Sequence, residues 1–231
     1  MLLLAVDTST QAGSLAVLRD ERILGVVSTW VDETYSSRMF RHLGFLLNDL
    51  TIDLKQFDLF AVAAGPGSFT GLRVGLTAVK GWAEVYQKPI AAVSGLQAVA
   101  AQAHATEPVL AAAIDARRGQ LYAGIYRRGV ERLERQGDEC VTGAAEFLAA
   151  LEEQFGREAI AFVSPSPEVL AAPLADSSFR NAPVERVSTV LAPVIGQLGL
   201  ACARRGELVD ALRLDANYIR RTDAEVLWKV Q

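Results

Sequence analysis

LLLAVDTSTQAGSLAVLRDERIL, residues 2–24, and LAAAIDARRGQLYAGIYRRGVERL, residues 110–133, have the same internal order. Each begins with an apolar run that ends in aspartate, continues through a short polar loop containing glycine, and resumes as a second apolar run before a charged turn. Apolar runs of this length between turn residues predict β-strands. The pattern returns about a hundred residues later, a period too long for a solenoid, so the sequence predicts two domains of one design.

Helical segments follow each strand pair, because apolar residues recur there at helical spacing. The predicted helices are 36–50, 70–86, 142–155 and about 189–205, and one more strand is predicted in each half, 59–64 and 159–164. Strands alternating with helices predict sheets covered by helices, an α/β fold. We predict an N-terminal domain at 1–106 and a C-terminal domain at 107–231. The 189–205 helix packs either within the second domain or back onto the first, and both arrangements stay open.

The composition is that of a globular protein: of 231 residues, 51% are apolar and 22% are charged. The formal net charge of −4 does not favour a protein that coats nucleic acid by itself. Cys140 and Cys202 form no CxxC pair, which fits a reducing compartment. The opening run ends at Asp7, too early for a secretory signal, and no apolar stretch approaches the roughly 20 residues of a membrane span. We expect a cytoplasmic protein without a membrane anchor.

Two domains that each open with strand, aspartate, loop and strand resemble the actin, sugar-kinase and heat-shock ATPase superfamily, whose two ribonuclease H-like lobes are mixed sheets with flanking helices. The resemblance implies that Asp7 and Asp115 mark a nucleotide cleft. In the kinase-like proteins a glycine usually stands two residues after each aspartate, and here those places hold Ser9 and Arg117. The cleft is therefore predicted to be vestigial, and Asp7 is read as a residue that organises its loop.

The second aspartate loop leaves two readings open. Arg117 and Arg118 either pair with Asp115 or bind an anion, or else they lie on the surface. The loop expected to hold adenosine, residues 164–167, reads SPSP and has no glycine. Nucleotide binding of the kinase type is poorly supported, and no cofactor is predicted.

The two histidines, His42 and His104, are far apart in sequence and form no HxxxH or HExxH motif. Protein metal sites usually need three or four ligands, so no metal site is predicted. A serine nucleophile elbow is also absent, because residues 65–69 read GPGSF and lack the final glycine of GxSxG.

The most specific local motif is AAGPGSFTGLRVGL, residues 63–76, at the junction of a strand and a helix. It lacks the Gly-Lys-Ser/Thr of a phosphate loop. In the helix that follows, Gly71, Gly75, Ala78 and Gly81 lie three or four residues apart. Interior glycines cost a helix roughly 0.5–1 kcal/mol each relative to alanine, which suggests close approach by another backbone. The alternative is tight packing inside the domain itself.

The neighbouring 36–50 helix has a larger apolar surface than one core face requires. Its apolar residues are Met39, Phe40, Leu43, Phe45, Leu46, Leu47 and Leu50. The surplus could be an interface with a partner.

Four segments together resemble the TsaB family, and the resemblance covers essentially the whole chain. They are AVDTST (5–10), GPGSFTGLR (65–73), AIDARRG (113–119) and NYIRR (217–221). The resemblance implies a role in making threonylcarbamoyladenosine beside the anticodon of tRNA. It also implies TsaD as the catalytic partner, the ATPase TsaE as a further member of the complex, a homodimer of the isolated chain, and contact with tRNA only within the complex.

The resemblance and the helix pattern together assign site residues, with no catalytic or metal-binding residue among them. The predicted partner surface is Met39, Leu43, Leu46, Leu50, Gly71, Arg73, Val74, Gly75, Thr77, Ala78 and Gly81. The family motif is Gly65, Pro66, Gly67, Ser68, Phe69 and Thr70.

Three functional hypotheses follow. The first is a non-catalytic subunit that binds and activates TsaD. The second is an independent enzyme, a kinase-like phosphotransferase or a glycoprotease-like peptidase, which would use Asp7 and Asp115. The third is a tRNA-binding module built on the Arg-Arg pairs at 117/118, 127/128, 204/205 and 220/221. The first explains the depleted cleft and the small-residue helix together.

Overall fold

The computed structural model describes residues 1–30, 35–156, 158–217 and 219. The strands are β1 (Leu2–Asp7), β2 (Ser14–Arg19), β3 (Arg22–Ser28), β4 (Leu59–Gly65), β5 (Ile90–Ser94), β6 (Val109–Arg117), β7 (Gln120–Arg128), β8 (Leu133–Arg135), β9 (Cys140–Gly143), β10 (Ile160–Ser164) and β11 (Val184–Arg186). The helices are α1 (Tyr35–Leu50), α2 (Phe69–Tyr86), α3 (Gly95–Ala100), α4 (Ala144–Phe155), α5 (Glu168–Ala175) and α6 (Ala192–Arg205), with a short 3-10 turn at Leu54–Gln56.

The chain divides into two compact units. Of the described residues, 1–98 and 189–217 form unit 1, and 99–188 together with Ile219 form unit 2. This division differs from the expected halves, 1–106 and 107–231, in two stretches: 99–106 joins unit 2, and 189–217 returns to unit 1. The return has a physical reason, since α6 lies on the sheet of unit 1.

The sheet of unit 1 has the strand order β3-β2-β1-β4-β5. β1 to β3 form an antiparallel meander, whereas β4 lies parallel to β1 and β5 parallel to β4. Every residue of β1 is buried, because helices cover both faces of the sheet at this central strand. α1 and α2 cover one face, and their apolar stripes form one core with the strands.

The opposite face of this sheet is covered by α6, which contacts β1, β2, β4 and β5. The helix approaches closely because two of its residues are glycines. A Cβ added at Gly199 would stand 2.8 Å from the Cβ of Ala61, and one added at Gly196 would stand 2.4 Å from Leu18 Cδ1. The backbone amide of Ala192, at the start of the helix, donates to Ser14 Oγ of β2 at 3.0 Å.

The sheet of unit 2 repeats the plan of unit 1. Its order is β11-β10-β6-β7-β8, with β9 also paired to β7. β6 and β7 are antiparallel, and β10 lies parallel to both β6 and β11. In each unit the first strand therefore has its hairpin partner on one side and a parallel strand on the other. α4 and α5 supply the helical part of the unit 2 core.

The predicted α/β fold, with two mixed sheets and flanking helices, is confirmed. Two helices start later than predicted. The 142–155 helix begins at Ala144, because Thr142 is the third residue of β9, and the 189–205 helix begins at Ala192. Thr142 instead donates its hydroxyl to Glu146 Oε2 at 3.0 Å. In the described part of the chain, no helix has both the length and the apolar character needed to cross a membrane.

Candidate functional site

The glycine-rich motif forms the sharp connection from β4 to α2. Gly65 has φ +116°, a value that L side chains rarely adopt. Ser68 is the N-cap of α2, and its hydroxyl accepts from the Gly71 amide at 3.3 Å. The motif therefore fixes the position at which α2 leaves the sheet.

This connection packs directly onto the loop that follows β1. The Ser68 amide donates to Ser9 O at 2.8 Å, and Thr8 Oγ1 donates to Gly71 O at 2.7 Å. A Cβ at Gly71 would lie 2.1 Å from Thr8 O, and one at Gly75 would lie 2.3 Å from Thr8 Oγ1. Both glycines are thus explained by packing inside unit 1, which was the alternative to a partner contact. Gly75 is buried, so its predicted partner role is corrected to core packing; Gly71 is half-buried, and its partner role stays a prediction.

Asp7, at the end of β1, is completely buried beneath this packed loop. Its Oδ1 accepts from the Ser9 amide at 2.9 Å and from Ser9 Oγ at 2.6 Å. Its Oδ2 has no hydrogen-bond partner. Burial raises the pKa of this carboxyl above the ordinary 3.8, and the two bonds from Ser9 oppose that rise. A phosphate reaches Asp7 only if the Ser9 loop moves away.

Asp115, at the corresponding place in unit 2, has a more open environment. Its Oδ1 accepts from the Arg117 amide at 2.7 Å, and its Oδ2 lies 3.6 Å from Arg117 Nη1. The side chain is 31% exposed and lines a cavity of about 410 Å³. The two aspartates that the sequence pairs therefore differ in access.

On α1, the predicted stripe forms core rather than surface. Met39, Leu43 and Leu46 are 0%, 5% and 3% exposed, because α1 packs on β2, β3 and α2 and these side chains belong to the unit 1 core. Leu50 is half-buried against the same core. The first three are corrected from contact residues to core residues, since no partner reaches side chains already buried.

Two exposed apolar side chains, one on α1 and one on α2, lie on adjoining helix faces. Phe40 of α1 is 58% exposed and Val85 of α2 is 73% exposed. Their helix faces adjoin, because the rings of Phe40 and Trp82 meet edge to face with centroids 6.4 Å apart. We define the α1–α2 surface by the residues that share these two faces at helical spacing: Phe40, Gly44, Leu47, Val74, Ala78, Gly81, Trp82 and Val85.

Two glycines leave this surface open. A Cβ placed at Gly44 or at Gly81 would meet nothing within 4 Å. Gly81 thus differs from Gly75 of the same helix, although the sequence spacing makes the two look alike. Trp82 and Val85 were missed by the prediction, yet they follow Ala78 at i+4 and i+7, which is the signal that identifies them.

The other predicted residues of α2 are placed as follows. Thr77 is exposed, and Val74 and Ala78 are half-buried. Arg73 is exposed, with its guanidinium carbon 3.9 Å from the centroid of the Phe69 ring. Phe45 of α1 is also 63% exposed, but at about 100° per residue it lies well round the helix from Phe40.

The histidines belong to separate units. His42 is buried on α1, with Nε2 3.5 Å from Thr29 Oγ1. His104 is exposed in unit 2, with Nδ1 2.8 Å from Glu185 Oε1. Within residues 1–30, 35–156, 158–217 and 219, no group of three or more His, Cys, Asp or Glu side chains is placed to hold a metal ion.

The described Arg-Arg pairs are divided between the two units. Arg127 donates to Glu158 at 2.5 and 2.9 Å, and Arg128 donates to backbone carbonyls of residues 103–107. Arg204 and Arg205 lie on α6 and therefore in unit 1. Arg220 and Arg221, with Tyr218 of the same segment, lie outside the described residues.

Comparisons with known proteins agree with this architecture. A family model described as "TsaD: tRNA N6-adenosine threonylcarbamoyltransferase" matches residues 15–190. The protein named tRNA threonylcarbamoyladenosine biosynthesis protein TsaB in Bacillus subtilis is 34% identical over 67% of this chain and 67% of its own length. Its namesake in Haemophilus influenzae is 38% identical over 53% of this chain and 52% of its own length, so that match spans about half of each protein.

Solved structures give the same picture. The protein described as YeaZ from Pseudomonas aeruginosa matches with a TM-score of 0.77 at 28% identity, covering 94% of this chain and 99% of that one. A ROK hexokinase from Thermus thermophilus matches with a TM-score of 0.53 at 12% identity, covering 88% of this chain and 100% of its own; this match shows the sugar-kinase-like fold alone. From its sequence relatives and its fold, the chain belongs to the TsaB family of tRNA threonylcarbamoyladenosine biosynthesis proteins.

Proposed function

We propose that this chain is a non-catalytic subunit in tRNA threonylcarbamoyladenosine biosynthesis. It binds the catalytic subunit TsaD through its α1–α2 surface and activates transfer of the threonylcarbamoyl group to the adenosine next to the anticodon. The observation that carries the proposal is the exposed apolar α1–α2 surface. The pathway comes from the names of its relatives in Bacillus subtilis and Escherichia coli.

The α1–α2 surface has the chemistry of an interface core. Burying a large apolar side chain such as Phe40 gains about 1.5–3 kcal/mol. Aromatic residues, tryptophan above all, dominate the binding energy of interfaces, and Trp82 stands beside Phe40. The open backbone at Gly44 and Gly81 lets a partner helix approach closely. A stable contact of about 1,200–2,000 Å² is expected to centre here.

The proposal gives the chain no catalytic group of its own. Asp7 is sealed under Ser9 and the β4–α2 connection, so a phosphotransferase mechanism through it requires that packing to open. This supports an accessory role over the independent kinase or peptidase. TsaE and tRNA join the assembly as further partners, and tRNA contacts the chain only within it.

The proposal assigns the homodimer of the isolated chain to the same surface. An exposed apolar face on an isolated subunit is covered by a second copy when the proper partner is absent. TsaD and the second copy then compete for Phe40, Gly81 and Val85. Sedimentation of the isolated chain is expected to show a concentration-dependent dimer that TsaD dissociates.

The test is the affinity for TsaD when the surface is blocked. Gly81→Leu adds a side chain into the open space on the α2 part of the α1–α2 surface. We expect the dissociation constant to rise at least about 30-fold, the loss typical of a central interface position. The exposed helix is expected to gain up to about 1 kcal/mol from the replacement of glycine, so thermal unfolding shows that the variant remains folded.

The matched control is Lys80→Leu, which adds leucine at the preceding position of α2, about 100° round the helix. It should leave the dissociation constant within about twofold of wild type. Gly75→Leu is unsuitable as a test, because its side chain collides with Thr8 inside unit 1. An unchanged affinity in folded Gly81→Leu would remove the α1–α2 surface from the proposal.

A further inference from the structure

The turn between β6 and β7 exposes two arginines in an unusual backbone conformation. Arg117, Arg118 and Gly119 follow one another with φ values of 64°, 56° and 73°. The left-handed region is unfavourable for residues with a Cβ, and such conformations persist where the surrounding structure needs them. Here the Arg117 amide is held by Asp115 Oδ1 at 2.7 Å.

The turn forms one side of the cavity in unit 2. The cavity of about 410 Å³ is lined by Asp115, Arg117, Arg118, Gly119, Gln120, Leu121 and Val169. Asp115 Oδ1 accepts from the Arg117 amide, and Asp115 Oδ2 lies 3.6 Å from Arg117 Nη1. Arg118 lines the same cavity and brings a second guanidinium to the turn. A Cβ at Gly119 would meet nothing within 4 Å, so an incoming group has access to the backbone of the turn.

The position of the cavity is one at which α/β sheets bind ligands. β6, β10 and β11 are parallel, so their carboxyl ends share one edge of the sheet, and Asp115 and Arg117 stand at that edge. Ligands of open α/β sheets bind outside the carboxyl ends of the strands. Val169, the second residue of α5, lines the cavity from the segment that follows β10.

Unit 1 provides an internal comparison. Its equivalent turn follows Asp7, where Ser9 bonds both Asp7 and the Ser68 amide and leaves Asp7 fully buried. In unit 2 the equivalent turn lines a cavity and carries two arginines. The aspartate is therefore buried in unit 1 and accessible in unit 2.

From this geometry we propose that the Asp115–Gln120 turn binds a backbone phosphate of RNA. Guanidinium groups suit phosphate because their N–H groups match its oxygens in pairs. Among the described residues, the cavity lining has no aromatic side chain to stack on a base, and the segment after β10 contains Pro165 and Pro167 in place of glycines. The site thus holds phosphate rather than a nucleobase. The identification of the phosphate source as RNA, and as tRNA, rests on the proposed function, whereas the phosphate site does not.

The first experiment uses the isolated full chain and inorganic phosphate. NMR titration should give saturable shifts of the Gly119 amide and the Arg117 and Arg118 side-chain N–H signals. In the double variant R117Q/R118Q, which lacks those side-chain signals, the phosphate-dependent shift of the Gly119 amide should disappear. The charge-matched control R135Q/R180Q, which removes two exposed arginines of unit 2 outside the cavity, should retain the shifts. Absence of saturation, or equal shifts in R117Q/R118Q, overturns the phosphate site.

The second experiment identifies the source of the phosphate. Fluorescence anisotropy of labelled tRNA is measured on the assembly of this chain with TsaD over a range of salt. R117Q/R118Q should weaken tRNA binding about tenfold and reduce the slope of log K against log salt by about 1, whereas R135Q/R180Q should change neither. If ATP saturates the phosphate signals in the isolated chain and the tRNA parameters do not move, the RNA assignment is overturned.

The two experiments separate this inference from the proposed function. The phosphate titration needs no partner subunit, so its failure contradicts the site alone. Failure of the chain to assemble with TsaD contradicts the proposed function and leaves the phosphate result standing.

Discussion

At the residue scale, the glycines of α2 show how far spacing alone can be interpreted. Gly71, Gly75 and Gly81 look like one small-residue stripe in the sequence. In the structure the first two meet Thr8 of the β1–β2 loop, and the third meets open space. Spacing predicts that small residues matter, but only the fold shows what each one faces. The same holds for Asp7. Its bonding partner Ser9 is only two residues away, but Ser9 in turn accepts a hydrogen bond from Ser68, which is distant in the chain.

Asp7 leads to a prediction about pH. Burial raises the pKa of its carboxyl in the folded chain above 3.8, so the folded chain retains a proton that the unfolded chain has lost. The stabilising contribution is therefore complete below about pH 3.8 and is lost as pH rises through the folded-state pKa. We expect Asp7→Asn, which stays neutral, to lack this decline, so that its stability relative to wild type increases with pH. Urea unfolding across the pH range measures it.

Ser9→Ala is the companion variant. It keeps the carboxyl but removes the Ser9 hydroxyl, whose bond to Asp7 Oδ1 favours the charged form. Without that bond the pKa of Asp7 rises further, so the stability of Ser9→Ala should decline over a range that extends to higher pH than in wild type. Parallel stability profiles of wild type and Asp7→Asn would contradict the raised pKa.

At the element scale, α6 shows a fold feature that local sequence does not determine. Its helical pattern and its end at Gly206, where φ is 72°, are consistent with the sequence prediction. The element it packs against is not local, because the Gly196 and Gly199 face meets strands more than a hundred residues earlier. The start was placed too early for a similar reason: the amide of Ala192 is bonded by Ser14 of β2, a distant partner.

The close approach of α6 to the sheet can be tested at Gly199. A Cβ there would stand 2.8 Å from the Ala61 Cβ, so Gly199→Val should overpack the interface and lower the free energy of unfolding by about 1–3 kcal/mol. Denaturant unfolding measures the loss.

Gln197→Val serves as the control on the same helix. Gln197 is exposed, and its replacement should cost only a few tenths of a kcal/mol in helix propensity. Equal losses at the two positions would show that α6 does not depend on close packing against Ala61.

At the scale of the whole molecule, the repeated strand–aspartate–turn unit made the fold class predictable. Each copy contains its own hairpin, so the sheet order in each unit follows from local pattern and short connections. The candidate surfaces were less predictable. The α1 stripe of Met39, Leu43 and Leu46 satisfies helical periodicity whether it faces a core or a partner, and only the packed structure assigns it to the core.

The central claim is that this chain acts as an accessory subunit through its α1–α2 surface, and the most direct measurement is threonylcarbamoyladenosine formation by a reconstituted system of TsaD, TsaE, tRNA and activated substrate. We predict that product forms rapidly only when this chain is added, that Gly81→Leu abolishes the stimulation, and that Asp7→Asn retains it. Product formation at the same rate without the chain, or stimulation that survives Gly81→Leu and is lost in folded Asp7→Asn, would contradict the account.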